Sequence, residues 1–537
     1  MRLHLAPGVA TLAVALAFLA GGCGNPTDPE SWARRAVNRA RTDEKLEALG
    51  HVRGLLGKDA AGKELSTAEQ RRAAVDPLVE IVKNKQAPAR VRAEAVQALA
   101  DIGDTRAVKT LLDAIDPAPR DDPGRDVNRR IADALGTLRA IEAVPALEAL
   151  ARSGDGFTQV AAVDALGRVG DPAAVATLAD IATSEKSEPF TAKKALMAIG
   201  QIGDDDKHRG RAAALRMVFA GTDYFPAASF AAYQIGRPMA EPLLAVLQGR
   251  ENEVSTWARG RGATEGALVA TAAQLLGDVG GPEAIGPLIG RLSYTDANPA
   301  VQTLVRLFTA ESLGRLRAKE AVRPVLDLAT RETDEGVRDR YCGAIARIGD
   351  PPAALPGLKA LAQGAPGVPL RAGPLLAVAR LGSKEDRAAV EAGFSRDCPA
   401  QGCPAAVKAM YEGMLARIDA ATACGSDAAC WEKKLDDPSS AVRDRAALEL
   451  GKAGGAKVVP ALAGAVARPV NDDADVGARY HALLAIHWIL GREPVGPSGA
   501  EVAAKIDAML AADRGRTLTV VVNEDALRIA TRLRRAR

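Results

Sequence analysis

The chain has 537 residues, and its 70 Lys and Arg against 67 Asp and Glu leave a formal net charge of +3. Acidic and basic residues are interspersed, which removes the strong electrostatic pull expected of a nucleic-acid-binding chain. The length exceeds what one hydrophobic core serves, roughly 250–300 residues, and aromatics at 3% leave little material for a core built around bulky rings.

Residues 1–22 read as an export signal. Arg2 is the basic start, and Val9–Leu19 is an apolar run too short to span a bilayer. The run ends in Leu19-Ala20-Gly21-Gly22-Cys23, small residues directly before a cysteine. This resembles a bacterial lipobox, departing from it in carrying Ala20 where Leu is commoner. The resemblance implies a lipidated Cys23 whose three acyl chains, at about 0.8 kcal/mol per buried CH₂, make the anchor effectively permanent. A plain secretory signal with a chance cysteine is the competing reading. Gly24 rather than Asp after the cysteine implies the outer membrane, on its periplasmic side. Residues 23–30 then form a short tether with Pro26 and Pro29.

From residue 31 the chain is organised by repetition. Trp32 to about Leu56 and Ala68–Val82 are expected to form an irregular first hairpin, as the end of a stacked array requires. The pattern is clearest at Asp334–Ala362. One helix carries Ala344, Ile345 and Ile348 and ends at Gly349; Asp350-Pro351 starts a second, which carries Leu355, Leu358 and Leu361. Such a hairpin has one apolar stripe per helix and cannot bury both alone. Aligned turns recur at Gly103, Arg139, Gly170, Gly203, Gly236, Gly280, Arg317, Gly349, Gly382, Gly454 and Gly491, with most steps 31 to 37 residues, one of 44 and one of 72. Glycine suits a helix C-terminus that needs a positive φ. Asp104, Asp171, Asp204 and Asp350 are placed as N-caps. Pro172, Pro282 and Pro351 fall where a missing N–H costs nothing. Arg139 and Arg317 break the glycine rule, so those turns are expected to differ.

The segments Asp334–Asp350 and Asp437-Pro438-Ser439-Ser440-Ala441-Val442-Arg443 through Gly451 resemble the short, PBS-lyase-like variety of HEAT repeat, and the resemblance covers about residues 70–490. It implies an all-α fold, a right-handed α-α superhelix of the HEAT/armadillo type. It also implies that first helices lie on the convex side and second helices line a concave binding face. Residues 31–394 are assigned to the N-terminal part of the solenoid and 437–495 to its C-terminal part.

Two steps are longer than the rest. The first holds Gly249–Gly266, read as a polar loop with Trp257, Arg259 and Arg261 as a possible partner contact; the alternative is a Trp folded back onto its own repeat. The second holds a cysteine-containing helical insert, 395–436. There the helix Ala405–Ala421 is about 25 Å long at 1.5 Å per residue, and disulfide Cα atoms lie within about 7 Å. Local bridges Cys398–Cys403 and Cys424–Cys430 are therefore expected, in keeping with an oxidising periplasm. A four-cysteine metal site fits the spacing less well. Cys342 on an apolar face reads as an inert thiol. Residues 496–537 form a C-terminal cap: Ala500–Leu510 helical, Thr517–Val522 of strand composition, and Asp525–Arg537 a basic amphipathic helix. That last helix is read either as a lipid or partner contact or, more simply, as the end cap.

No pattern supports catalysis. His4, His51, His208, His481 and His487 are the histidines, none followed by Glu, so the His-Glu pairs of di-iron HEAT-repeat hydroxylases are missing. No G-x-S-x-G, P-loop, G-x-G-x-x-G or H-E-x-x-H occurs. Asp204-Asp205-Asp206 is explained by capping, and His487 beside Trp488 by core packing. The expectation is a non-enzymatic scaffold of the bacterial envelope without metal or cofactor, anchored through Cys23 and binding a protein or peptide. A bilin-lyase-like or metal-dependent hydroxylase-like enzyme is the alternative, disfavoured by the absent motifs.

Overall fold

The computed structural model describes residues 27–59, 61–250, 253–399 and 402–535. Cys23 and the export segment lie outside them. The described residues are helical throughout, with one isolated bridge between Lys58 and Glu64. No described helix is long and apolar enough to cross a membrane. The chain divides into two units, residues 1–181 and 182–537.

In the first unit, Pro29–Asn38, Thr42–Leu55, Ala68–Ala73 and Val75–Lys83 make the irregular opening. Hairpins follow with first helices Ala89–Ile102, Asp122–Thr137 and Gly156–Val169. These stack closely on one another, whereas the intervening second helices do not. Small residues allow the approach. A Cβ on Gly136 would stand 2.8 Å from the backbone of Ala165, so only glycine fits there. The face these helices share is neutralised between neighbours: Arg53 pairs with Glu94 and Asp101, and Arg168 with Asp133.

The second unit repeats the hairpin, and its first helices close on themselves. Pro189–Ile202 leads into Phe225–Ile235. From there Glu265–Val279, Pro299–Arg315, Glu335–Ile348, Val368–Leu381, Ala405–Cys424, Ser440–Ala453, Asp473–Leu490 and Val520–Arg535 follow, each packed on the next, and the last returns to Phe225–Ile235. The ring is filled. Trp488 Nε1 donates to the Arg315 carbonyl at 2.7 Å, and Arg445 donates to the carbonyls of Ala379 and Gly382. Layer order is thus the reverse of the expectation: first helices are inside and second helices outside. The reason is again side-chain size, since Gly277 meets Ser312, Gly314 meets Ala344 and Gly451 meets Ala485. The layer that packs more closely becomes the inner one. Among the described residues this unit has no open concave wall of second helices; in the first unit the exposed Lys109–Asp113 pair lies on a second helix.

The cysteine segment takes a place in the ring. Ala405–Cys424 and Ala428–Lys434 form a hairpin, its first helix between Val368–Leu381 and Ser440–Ala453. Cys398 and Cys403, and Cys424 and Cys430, stand at disulfide distance with Cα atoms 4.5 and 5.4 Å apart. Cys342 is a buried free thiol whose pKa burial raises.

The turns follow the sequence logic with exceptions. Gly103, Gly170 and Gly349 have the left-handed φ, and Asp104 and Asp171 cap as expected. Asp350 makes no side-chain cap, and Asp204 instead accepts from the Arg211 amide. Gly280, Gly382 and Gly454 have extended φ values of -72, -77 and -75°, and Gly491 is helical. At Gly454 glycine is required by space, because a Cβ would lie 2.5 Å from the Leu450 carbonyl oxygen. Arg139 and Arg317 take φ of 50 and 54° themselves, each one residue later on its helix end than the aligned glycines. Thr517–Val522 is not a strand. Thr517–Thr519 is a 3-10 turn and Val520 begins the last helix, where Val522 is buried against the preceding layers. Tertiary burial overrides the β-branched composition.

Candidate partner-contact groove

Gly249–Gly266 is not a bare loop. Glu253–Gly260 is a short extra helix laid beside Arg209–Val218. It presents its small-residue side, Ser255 and Ala258, inward, both being buried. The extra helix makes the 44-residue step, and it builds one wall of a groove. The opposite walls are the Val218–Phe225 connection and the start of Glu265–Val279, and the cavity between them is about 380 Å³. That is within the roughly 300–1,000 Å³ typical of ligand pockets. Val218, Phe219 and Leu268 form an apolar floor.

The three residues singled out by sequence fall around this groove unequally. Trp257 is half-buried, with the Arg216 guanidinium 4.5 Å and the Arg261 guanidinium 5.2 Å from its ring centre. It is covered both from an earlier hairpin, through Arg216, and from its own segment, through Arg261. Arg259 pairs with Glu265 at 2.5 Å and does not line the groove. Arg261 does line it, and among the described residues it pairs with Glu185, 3.3 Å away and largely exposed. Phe219, Thr271 and Gln274 were missed by sequence reading; Thr271 and Gln274 sit on an ordinary repeat helix and Phe219 directly follows one, where nothing in the local pattern separates a groove residue from a stripe residue.

The remaining polar clusters are internal. Asp444 is buried among Arg380, Arg417 and His481. Burial opposes its charge, but the two guanidinia and the imidazole outweigh burial and hold its carboxyl well below the usual range. His481 is held neutral, pushed down to about 4 by burial although Asp444 pulls the other way. His487 is pushed down to about 3 by burial and then by Arg315 and Arg532, and bonds the Tyr233 hydroxyl at 2.9 Å. Where the ring closes, Arg315 and Arg528 both face Asp278 and Asp525 around a cavity of about 20 Å³, room for about one water. Arg535 donates to the carbonyls of Gly200 and Gln234. The described arginines of the basic C-terminal helix are therefore mostly spent on internal partners, because the helix closes the ring against Phe225–Ile235 rather than covering an open end. Among the described residues no three of His, Cys, Asp and Glu come together as a metal site.

The family model for HEAT repeats matches residues 117–200 and 302–379, and that of the PBS lyase HEAT-like repeat matches 91–117. Those segments carry HEAT repeats. No curated protein matches it. Among solved structures it is similar to importin beta, at 12% identity over 91% of this chain and 79% of that one with a TM-score of 0.42. It is similar to Kap121p bound to Nup53p at 10% identity over 92% and 60%, TM-score 0.44. Human deoxyhypusine hydroxylase is similar at 17% identity over 52% of this chain and 98% of that one, TM-score 0.23. Likenesses this weak bear on neither partner nor chemistry. The described residues thus form an all-helical hairpin array whose second unit has its inner face occupied and a groove beside the extra helix Glu253–Gly260.

Proposed function

We propose that this chain is a non-catalytic scaffold of the bacterial envelope, tethered to the outer membrane by lipid on Cys23 and holding a protein or peptide partner. The observation that carries the scaffold reading is the groove beside Trp257. An extra helix on an otherwise regular repeat builds one wall of a groove whose floor is apolar and whose one charged lining residue, Arg261, is held only by a surface pair. Rigid hairpins lose little on ordering when a partner docks. The tether rests on the lipobox resemblance.

Formaldehyde crosslinking of tagged chain in intact cells, followed by purification, tests the scaffold. One protein recovered in fixed ratio is expected. Purified chain with one or more iron atoms, or with a bound pigment, overturns the reading in favour of an enzyme. The tether is tested separately by Cys23→Ser. The variant is expected in the soluble periplasmic fraction, and a variant that still sediments with outer membrane refutes the anchor.

A further inference from the structure

We infer that the groove between Val218–Phe225 and the extra helix takes an extended segment of a partner protein that presents a bulky apolar side chain beside a carboxylate. This rests on the scaffold reading and names the partner's chemistry. Three features of the walls argue for it. First, the floor of Val218, Phe219 and Leu268 suits an aromatic or branched side chain, and about 380 Å³ holds more than one such group. Second, Arg261 is the one charged residue among the lining groups. Its link to Glu185 is a surface pair, with side chains 44% and 77% exposed, and such pairs are weak. A carboxylate held in the groove, less exposed to water, replaces Glu185 at little cost. Arg216 does not line the groove but stacks on the same Trp257 ring as Arg261, adding a second positive charge beside it. Third, the Thr271 hydroxyl and the Gln274 amide line the groove, and neither side chain is engaged within the described chain. Donors and acceptors of this kind suit a peptide backbone, which an acyl chain could not satisfy.

Fluorescence anisotropy on the purified full chain tests the assignment. The probe is a fluorescein-labelled peptide, Gly-Ser-Phe-Glu-Leu-Ser-Gly, with blocked ends. Saturable binding is expected, weakened tenfold or more when Gln replaces Glu in the peptide, and equally by Arg261→Gln. Ala267→Trp fills the groove from an exposed position without entering the core, and is expected to abolish binding while thermal unfolding stays unchanged. The assignment is overturned if the uncharged peptide binds as well, if R261Q binds like the parent, or if dodecanoate binds the groove and the peptide does not. Should crosslinking recover a partner while A267W leaves its capture intact, the scaffold stands and the groove assignment falls.

Discussion

Asp444 shows how one side chain can commit a fold. It is 1% exposed and faces Arg380, Arg417 and His481, so three inner helices depend on one negative charge. Asp444→Asn keeps the shape and leaves two buried guanidinia uncompensated. A loss of about 3–5 kcal/mol is expected, read from the urea midpoint. The histidines set the acid response. His481 and His487 are neutral when folded, at about 4 and about 3, and near 6.5 when unfolded. Between these values the unfolded chain holds protons that the folded chain does not, so stability falls as pH falls. The slope is roughly 1.4 kcal/mol per pH unit for each histidine, beginning near pH 6.5. Asp444, with its depressed pKa, adds a further loss only below about pH 4. Urea midpoints at pH 7, 5.5 and 4.5 test this: His487→Gln is expected to decline about half as steeply as the parent, and an identical slope refutes the assignment.

At the level of single elements, the turns were the most legible part of the sequence, and the reason glycine is needed was the least. Spacing marked nearly every hairpin, because Gly, Asp and Pro act within a few residues of themselves. It did not distinguish Gly103, which needs its φ of 75°, from Gly454, which needs space, because crowding depends on how a helix ends. The two arginine turns carry a contrasting prediction. Arg139 is exposed at φ 50°, and Arg139→Gly is expected to gain up to about 1 kcal/mol by relieving the left-handed strain. Arg317 has the same backbone, but its guanidinium lies 5.4 Å over Trp488, so Arg317→Gly is expected to give no gain. Paired thermal melts decide it, and equal gains would show that the stacking is idle. The candidate groove was half legible. The long repeat step flagged its neighbourhood and Arg261, but composition suggested a loop where burial of Ser255 and Ala258 makes a helix.

At the scale of the whole second unit, closure could not be read from repeat spacing, which is the same in an open array and a closed one. It depends on how far each inner helix turns relative to the last, and that is set by pairs such as Gly277–Ser312, distant in sequence. Closure makes a testable difference. In an open array a perturbation is felt by neighbours. Here Asp525→Asn weakens a contact to Arg315, 210 residues earlier. Hydrogen exchange is expected to quicken in Pro299–Arg315 and Phe225–Ile235 as well as in the C-terminal helices. Changes confined to residues 499–535 would mean the ring is not cooperatively shut.

The nine described helices that meet end to start leave no slack in their number. Duplicating or losing one hairpin inside residues 225–535 would leave Tyr233 without His487 and Asp278 without Arg528, whereas the described hairpins of the first unit show no such join. Length variation among natural relatives should therefore collect in the first unit, while the second inherits its hairpin count as a fixed set.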